Sequence, residues 1–260
     1  MEEILEADME VRFLGVGEAC DPKFGNVSML VRTAGGQSIL LDCGFTVPHR
    51  YFAAVDDPNE LSMLWISHFH GDHCFGVPLL LLRLAEMKRT RRLYLVGQQG
   101  IGDRLLDLFW LAFEGSPKKV IYPIEPVEVP AGTEVSIDGT TWRTAATDHV
   151  IPDLAVRIDD GGSSLFYSGD GRPTAESSSL AEDSDTIVHE AFRIEPDYEH
   201  HGSVKGCIEL ARRSRANTLA LVHIQRQTRH GEHERLREIL EEENARGGTR
   251  VLLPEDGDTI

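Results

Sequence analysis

Cysteine is scarce in this chain of 260 residues: Cys20, Cys43, Cys74 and Cys207 are the only four, far apart and without a C-x-x-C pair. That spacing argues against a cysteine zinc knuckle and for small buried hydrophobes rather than disulfides. No stretch approaches about 18 consecutive apolar residues, so no membrane span is expected. Met1-Glu2-Glu3-Ile4-Leu5-Glu6 lacks the basic start and apolar core of a signal peptide, which predicts a cytoplasmic protein. Positive charge is short as well: 26 Lys and Arg face 43 Asp and Glu, a net −17. Affinity for a phosphate backbone comes largely from basic side chains, so a broad nucleic-acid surface is disfavoured. A small phosphorylated substrate held by metal ions is not excluded. Linkers, low-complexity segments and close repeats are also missing, and the reading is one domain over residues 1–260.

What is present begins with short strands. Val11 to Gly17, Val27 to Thr33 and Ser38 to Gly44 read as strands, the last two joined by a hairpin turn at Ala34 to Gln37. Leu61 to Ile66 is an apolar run read as a buried strand. Phe75 to Arg89 reads as a helix with Pro78 in its first turn. Arg91 to Val96 reads as a strand and Gly100 to Phe113 as a helix. Val120 to Ile137 reads as edge strands and turns, and Thr141 to Thr147 as a strand. Leu154 to Ile158 and Ser164 to Ser168 form a hairpin across Asp159 to Ser163. Asp185 to Val188, Thr218 to Val222 and Arg250 to Leu253 are further strands. Ser203 to Arg215, N-capped by Ser203, and Glu232 to Asn244 are helices. Strands first, then helices and strands in alternation, then the same again, fit an α/β fold built as an αββα sandwich: two mixed sheets with helices on the outer faces.

The densest chemistry lies directly after Ile66. His68-Phe69-His70-Gly71-Asp72-His73 puts three imidazoles and a carboxylate within six residues. Buried polar groups crowded in this way need a cation to organise them. Alternation puts His68 and His70 on one side of an extended segment, suited to one ion. Asp72 and His73 lie past a glycine turn, where they can face a second ion. Further polar residues recur at the carboxyl ends of expected strands: Asp42, His149, Asp170, Glu190 and His223. Strand ends converge on one sheet edge, so these side chains can meet. His149 would complete the first set and His223 the second, with Asp170 bridging both through its two oxygens. Imidazole and carboxylate suit two Zn2+ ions, with Mn2+ or Fe2+ also fitting. Two ions about 3.5–4 Å apart activate water and polarise an electrophile, which points to hydrolysis of an ester or phosphodiester.

The hexapeptide resembles the H-x-H-x-D-H signature of the metallo-β-lactamase fold hydrolases. Asp42 in Leu-Leu-Asp-Cys-Gly, His149, Ser168-Gly169-Asp170 and His223 match that family's other landmarks in order. Within it, Cys74-Phe75-Gly76-Val77-Pro78 and His189-Glu190-Ala191-Phe192 are similar to the ribonuclease Z-like branch, and His201-Gly202-Ser203 stands where that branch has His-Ser-Thr. The resemblance implies Asp72 as ligand and catalytic residue, His201 as general acid with Glu190 orienting it, and Asp42 supporting a ligand histidine from behind. It also implies a homodimer as a common state, for which the apolar helix Gly100 to Phe113 offers a surface. His49, His200, His230 and His233 fall outside the pattern and read as surface residues. Lys88 to Arg92 reads as a solvated helix end.

Departures from the branch bear on substrate. Its tRNA-processing members carry a long basic arm between the equivalents of His149 and Asp170. Here those residues are only 21 positions apart, around the acidic turn Asp159-Asp160-Gly161-Gly162. Gly171 stands where the branch has Thr, and Ile224-Gln225-Arg226-Gln227 replaces its Phe-Ser-x-Arg. The reading is therefore a dinuclear zinc phosphodiesterase acting on a small phosphodiester or cyclic phosphate, such as a cyclic nucleotide, with tRNA disfavoured. Alternatives on the same metal site are ester, lactone, thioester, β-lactam or sulfate ester hydrolysis, tRNA 3′-end cleavage, or a metal-bound sensing protein.

Overall fold

Tight turns break the first third of the chain into antiparallel strands. The computed structural model describes residues 9–260, so the reading of Met1 to Glu6 lies outside the described residues. β1 (Glu10–Gly15), β2 (Ser28–Arg32) and β3 (Ser38–Leu41) pair antiparallel in sequence order. The β2–β3 hairpin is closed by the Gly36 amide donating to the Thr33 carbonyl at 2.9 Å. β4 (Met63–Ile66), β5 (Leu93–Gly97) and β6 (Ile124–Glu128) then add in parallel, giving a sheet ordered β1-β2-β3-β4-β5-β6.

The second sheet repeats the plan in mirror order. β7 (Glu134–Ile137), β8 (Thr140–Ala146), β9 (Leu154–Asp160) and β10 (Ser163–Tyr167) pair antiparallel. β11 (Thr186–Glu190), β12 (Thr218–Val222) and β13 (Arg250–Leu252) continue in parallel. Their order is β13-β12-β11-β10-β9-β8-β7.

Side-chain alternation explains the layering. In β3 and β4, Ile39, Leu41, Met63 and Trp65 face the second sheet, while Leu40, Leu64 and Ile66 face helices. In β11 and β12, Val188, Ala220 and Val222 point inward and Ile187, Leu219 and Leu221 point outward. The first sheet's outer face is covered by α1 (Val47–Ala54), α3 (Val77–Glu86) and α4 (Ile101–Ala112), with the one-turn α2 (Gly71–Cys74) between α1 and α3. α6 (Val204–Arg213) and α8 (His233–Arg246) cover the second, aided by α5 (Ala175–Leu180), and the short α7 (Arg226–Gly231) leads into α8. This is the αββα sandwich. Among the described residues, no helix is long and apolar enough to cross a membrane.

Several elements differ from the sequence reading. The helix expected over Phe75 to Arg89 is the shorter α3, Val77–Glu86, with Pro78 in its first turn, and the separate one-turn α2 precedes it at Gly71–Cys74. α1, α2, α5 and α7 have no counterpart in the sequence reading. Ser203 does cap α6, its hydroxyl accepting from the Gly206 amide. Cys43, Cys74 and Cys207 are buried, but Cys20 is exposed. The stretch from Lys88 is not simply a solvated helix end. Arg89 is 1% exposed and its guanidinium donates to the carbonyls of Pro58, Leu61 and Arg92, each at 2.6 Å, so it staples the α3–β5 turn to the segment that leads into β4. On α4, Phe109 is buried while Trp110 is 45% exposed.

Candidate metal centre

The parallel strands run in one direction, so their carboxyl ends form one rim. Asp42 follows β3, Ser67 and His68 follow β4, Asp170 follows β10, Glu190 ends β11 and His223 follows β12. β8 runs with β10 and delivers the segment holding His149. That segment is tied to the Asp170 turn by paired backbone bonds between Asp148 and Arg172, at 3.1 and 3.0 Å. The His223 amide donates to the Val16 carbonyl at 2.9 Å, fixing the β12 end against the β1 end.

These placements bring the expected residues together in two overlapping groups. In the first, His68 Nε2 lies 3.0 Å from His70 Nδ1, and His149 Nε2 lies 3.3 Å from the same atom. Asp170 Oδ2 is 3.9 Å from His68 Nε2. In the second, Asp72 Oδ2 is 3.4 Å from His73 Nε2 and 3.3 Å from His223 Nε2. Asp170 reaches this group with both oxygens, Oδ1 to His73 Nε2 and Oδ2 to His223 Nε2, each at 3.5 Å. Donors about 2.0–2.2 Å from one tetrahedral zinc stand roughly 3.4 Å from one another, so the spacing fits an ion at each group. His73 Nε2 and Asp170 Oδ1 are buried without a hydrogen-bond partner, which a cation would satisfy.

The electrostatics of the protein groups divide the centre in the same way. Burial pushes His68 down to about 4 and holds His70 and His149 below the usual imidazole range, which favours the neutral rings that metal ligation needs. Burial also opposes charge on His73 and His223, but Asp170 and its neighbours outweigh it. His73 is raised well above its ordinary value and His223 to about 9. Burial likewise opposes the charges on Asp72 and Asp170. The facing histidines overcome it and hold both carboxyls far below the usual range.

Residues 9–243 match the family described as Anti-Pycsar protein Apyc1. The chain belongs to the Apyc1 family. Ribonuclease Z of Mycobacterium sp. (strain KMS) is 30% identical over 239 residues, covering 83% of this chain and 84% of the relative. Among solved structures, the metallo-β-lactamase fold protein YhfI from Bacillus subtilis superposes with a TM-score of 0.77 at 20% identity, covering 98% of this chain and 99% of that one. Human tRNase Z, short form, matches with the same TM-score and identity over 96% and 98% of the two chains. This Apyc1-family chain is thus a metal-dependent hydrolase of the metallo-β-lactamase fold and the ribonuclease Z-like group.

Behind the donors, the Apyc1-family chain has a layer of buried carboxylates. Asp42 Oδ2 faces His73 Nδ1 at 2.8 Å and accepts the Ser67 and Tyr167 hydroxyls at 2.8 and 2.7 Å, while Oδ1 accepts the Ser67 amide at 2.8 Å. Glu190 Oε1 faces His201 Nδ1 at 3.2 Å and accepts the amides of Gly171 and Gly202, while Oε2 accepts that of Phe192. The His201 ring stacks on Phe192 with centroids 4.4 Å apart. Asp153, Ser67, Tyr167 and Phe192 had no sequence reading as supports of the site. His200, read as a surface residue, contributes its carbonyl, 3.2 Å from His149 Nδ1. His230 is also more than a surface residue, its Nε2 pairing with Asp21 at 2.9 Å. Ser67 adjoins the histidine cluster in sequence, a signal that was available. Phe192 closes the His189-Glu190-Ala191-Phe192 motif, while Asp153 and Tyr167 carry no local pattern.

Proposed function

We propose that this chain is a dinuclear zinc phosphodiesterase acting on a small phosphodiester or cyclic phosphate, of the kind a cyclic nucleotide presents. His68, His70 and His149 hold one ion, Asp72, His73 and His223 the other, and Asp170 serves both. Two divalent ions there would supply activated water and a Lewis-acid hold on the phosphoryl oxygens. Asp72 turns Oδ2 toward His73 and His223, leaving its other oxygen to orient the attacking water. His201, directed through Nδ1 by Glu190, presents Nε2 to the departing oxygen and gives it a proton.

The observation that carries this reading is the position of His201. It is part-buried and lies beside the donor groups, with one nitrogen committed to a buried carboxylate. A phosphodiester as the scissile bond agrees with the ribonuclease names of the relatives. A small substrate agrees with the acidic chain and with the short β9–β10 hairpin between His149 and Asp170.

One further observation favours a second role for His201. It offers a nitrogen within 4.8 Å of donor atoms of Asp170 and His223, so it could be a metal ligand instead. His201→Ala separates the two. As a general acid, its loss lowers turnover of bis-p-nitrophenyl phosphate and a cyclic nucleotide by about 10²–10⁴-fold and leaves zinc content intact. Loss of zinc from the variant, or full phosphodiesterase activity, removes the general-acid assignment.

A further inference from the structure

One carboxylate behind the donors has neither a resemblance nor a role assigned to it. Asp153 is 2% exposed and directly precedes β9. Its Oδ1 lies 3.0 Å from His68 Nδ1, on the side of the ring away from the donor Nε2. The same oxygen accepts the Asp170 amide at 3.3 Å, and Oδ2 accepts the Thr147 hydroxyl at 2.6 Å. A Cβ on Gly169 would stand 2.5 Å from Oδ1, and Gly169 has φ +62°, so the turn between β10 and Asp170 is shaped around this carboxylate.

We propose that Asp153 is a positioning residue for the first metal group. It fixes the His68 ring so that Nε2 faces His70, and through the Asp170 amide it sets the shared carboxylate in register with that ring. The proposal rests on the dinuclear reading above. It parallels what surrounds the second group, where Asp42 stands behind His73. Each half of the centre then has its own buried carboxylate behind one ligand histidine. Carboxylate–histidine pairs of this kind fix the tautomer and make the far nitrogen a stronger donor to a cation.

Ser67 is the competing partner, because its hydroxyl oxygen is also 3.0 Å from His68 Nδ1. That hydroxyl gives its own hydrogen to Asp42 Oδ2, so it can accept from the ring. The imidazole Nδ1 thus has its hydrogen-bond partner in Ser67 Oγ, and Asp153 Oδ1 stands 3.0 Å from the same nitrogen as a second buried oxygen behind the ring. Of the two, only Asp153 also holds the Asp170 backbone, accepting its amide at 3.3 Å. Asp153 itself is too far behind the imidazole to be a ligand of the same ion.

The test uses the full zinc-loaded chain. Wild type, Asp153→Asn and Asp153→Ala are titrated with a chelator and the retained zinc is counted. The metal-free forms are melted alongside, and cobalt-loaded samples report ligand geometry by visible absorption. In Asp153→Ala one ion should leave about 10–100-fold more readily, with altered cobalt bands, while the other is held as in wild type. Asp153→Asn keeps an oxygen acceptor in the same place and should fall between, with a metal-free melting temperature close to wild type. Both variants holding two ions at wild-type affinity overturn the proposal. So does an alanine variant that fails to fold while the asparagine variant binds as wild type does. A wild type that holds fewer than two ions overturns the dinuclear reading itself, and this is seen before any variant is compared.

Discussion

Asp42 shows how much of this site depends on single side chains that never touch substrate. It is fully buried with φ +57°, a backbone conformation that Asp tolerates better than most residues. Its carboxylate collects the Ser67 amide, two hydroxyls and the His73 ring. Asp42→Ala leaves those buried donors without an acceptor, at a cost of at least about 3 kcal/mol. For a chain of this size that is roughly 6–12 °C in melting temperature. Thermal unfolding of the metal-free variant checks it, and a change under about 2 °C would contradict the assignment of Asp42 as a hub. Residues of this sort divide sharply in how far sequence reveals them. His68, His70, Asp72 and His73 stand out because folding alone gives no reason for four ligand types in six positions. Asp153 and Tyr167 are single polar residues in strand-forming surroundings. Their roles depend on which strands are neighbours, and no local periodicity encodes that.

At the scale of elements, the second metal group depends on a backbone contact between the β3–α1 turn and α2. The Cys43 amide donates to the His73 carbonyl at 2.7 Å. Gly44 passes so close that a Cβ there would stand 1.9 Å from the Asp72 carbonyl oxygen. Backbone cannot move aside as a side-chain tip can, so Gly44→Ala must displace α2 and with it Asp72 and His73. The expected result is a strongly destabilised chain whose soluble fraction has lost zinc from that group. Gly231→Ala, where nothing stands within 4 Å of the added carbon, is the control and should melt as wild type does. Equal behaviour of the two variants would show that the contact does not position α2. The buried strands and α4 are legible from their apolar content, α6 from the Ser203 cap at its start, and α8 as an uninterrupted charged run of helix-forming residues. α1, α5 and α7 have six to eight residues each. Runs so short carry too few apolar repeats to be told from loop, and α1 opens on Val47-Pro48, which reads equally well as a turn.

At the scale of the whole molecule, net charge and topology act together on the choice of substrate. The segment between His149 and Asp170 is used up by β9, a tight turn and β10. Because the carboxyl end of β10 leads to Asp170, that turn lies at the end of the sandwich away from the metal centre. It is pinned there by Asp160, which accepts the Gly35 amide of the other sheet at 2.7 Å. No basic arm extends from it, and the chain carries −17 overall. A protein that grips RNA through phosphates releases counterions, and its affinity falls with salt by a slope of about −0.7 to −0.9 per phosphate engaged. An acidic protein acting on a small anion has no such contacts to lose, and salt screens the repulsion between them. We therefore expect kcat/KM for a small phosphodiester to stay level or rise between low and physiological salt. We also expect 3′-extended precursor tRNA to go uncleaved at physiological salt. Measuring both substrates across one salt series decides the matter. Efficient precursor cleavage that falls steeply with added salt would mean that a phosphate-gripping surface exists despite the charge, and that RNA, not a small phosphodiester, is what the centre is built to cut.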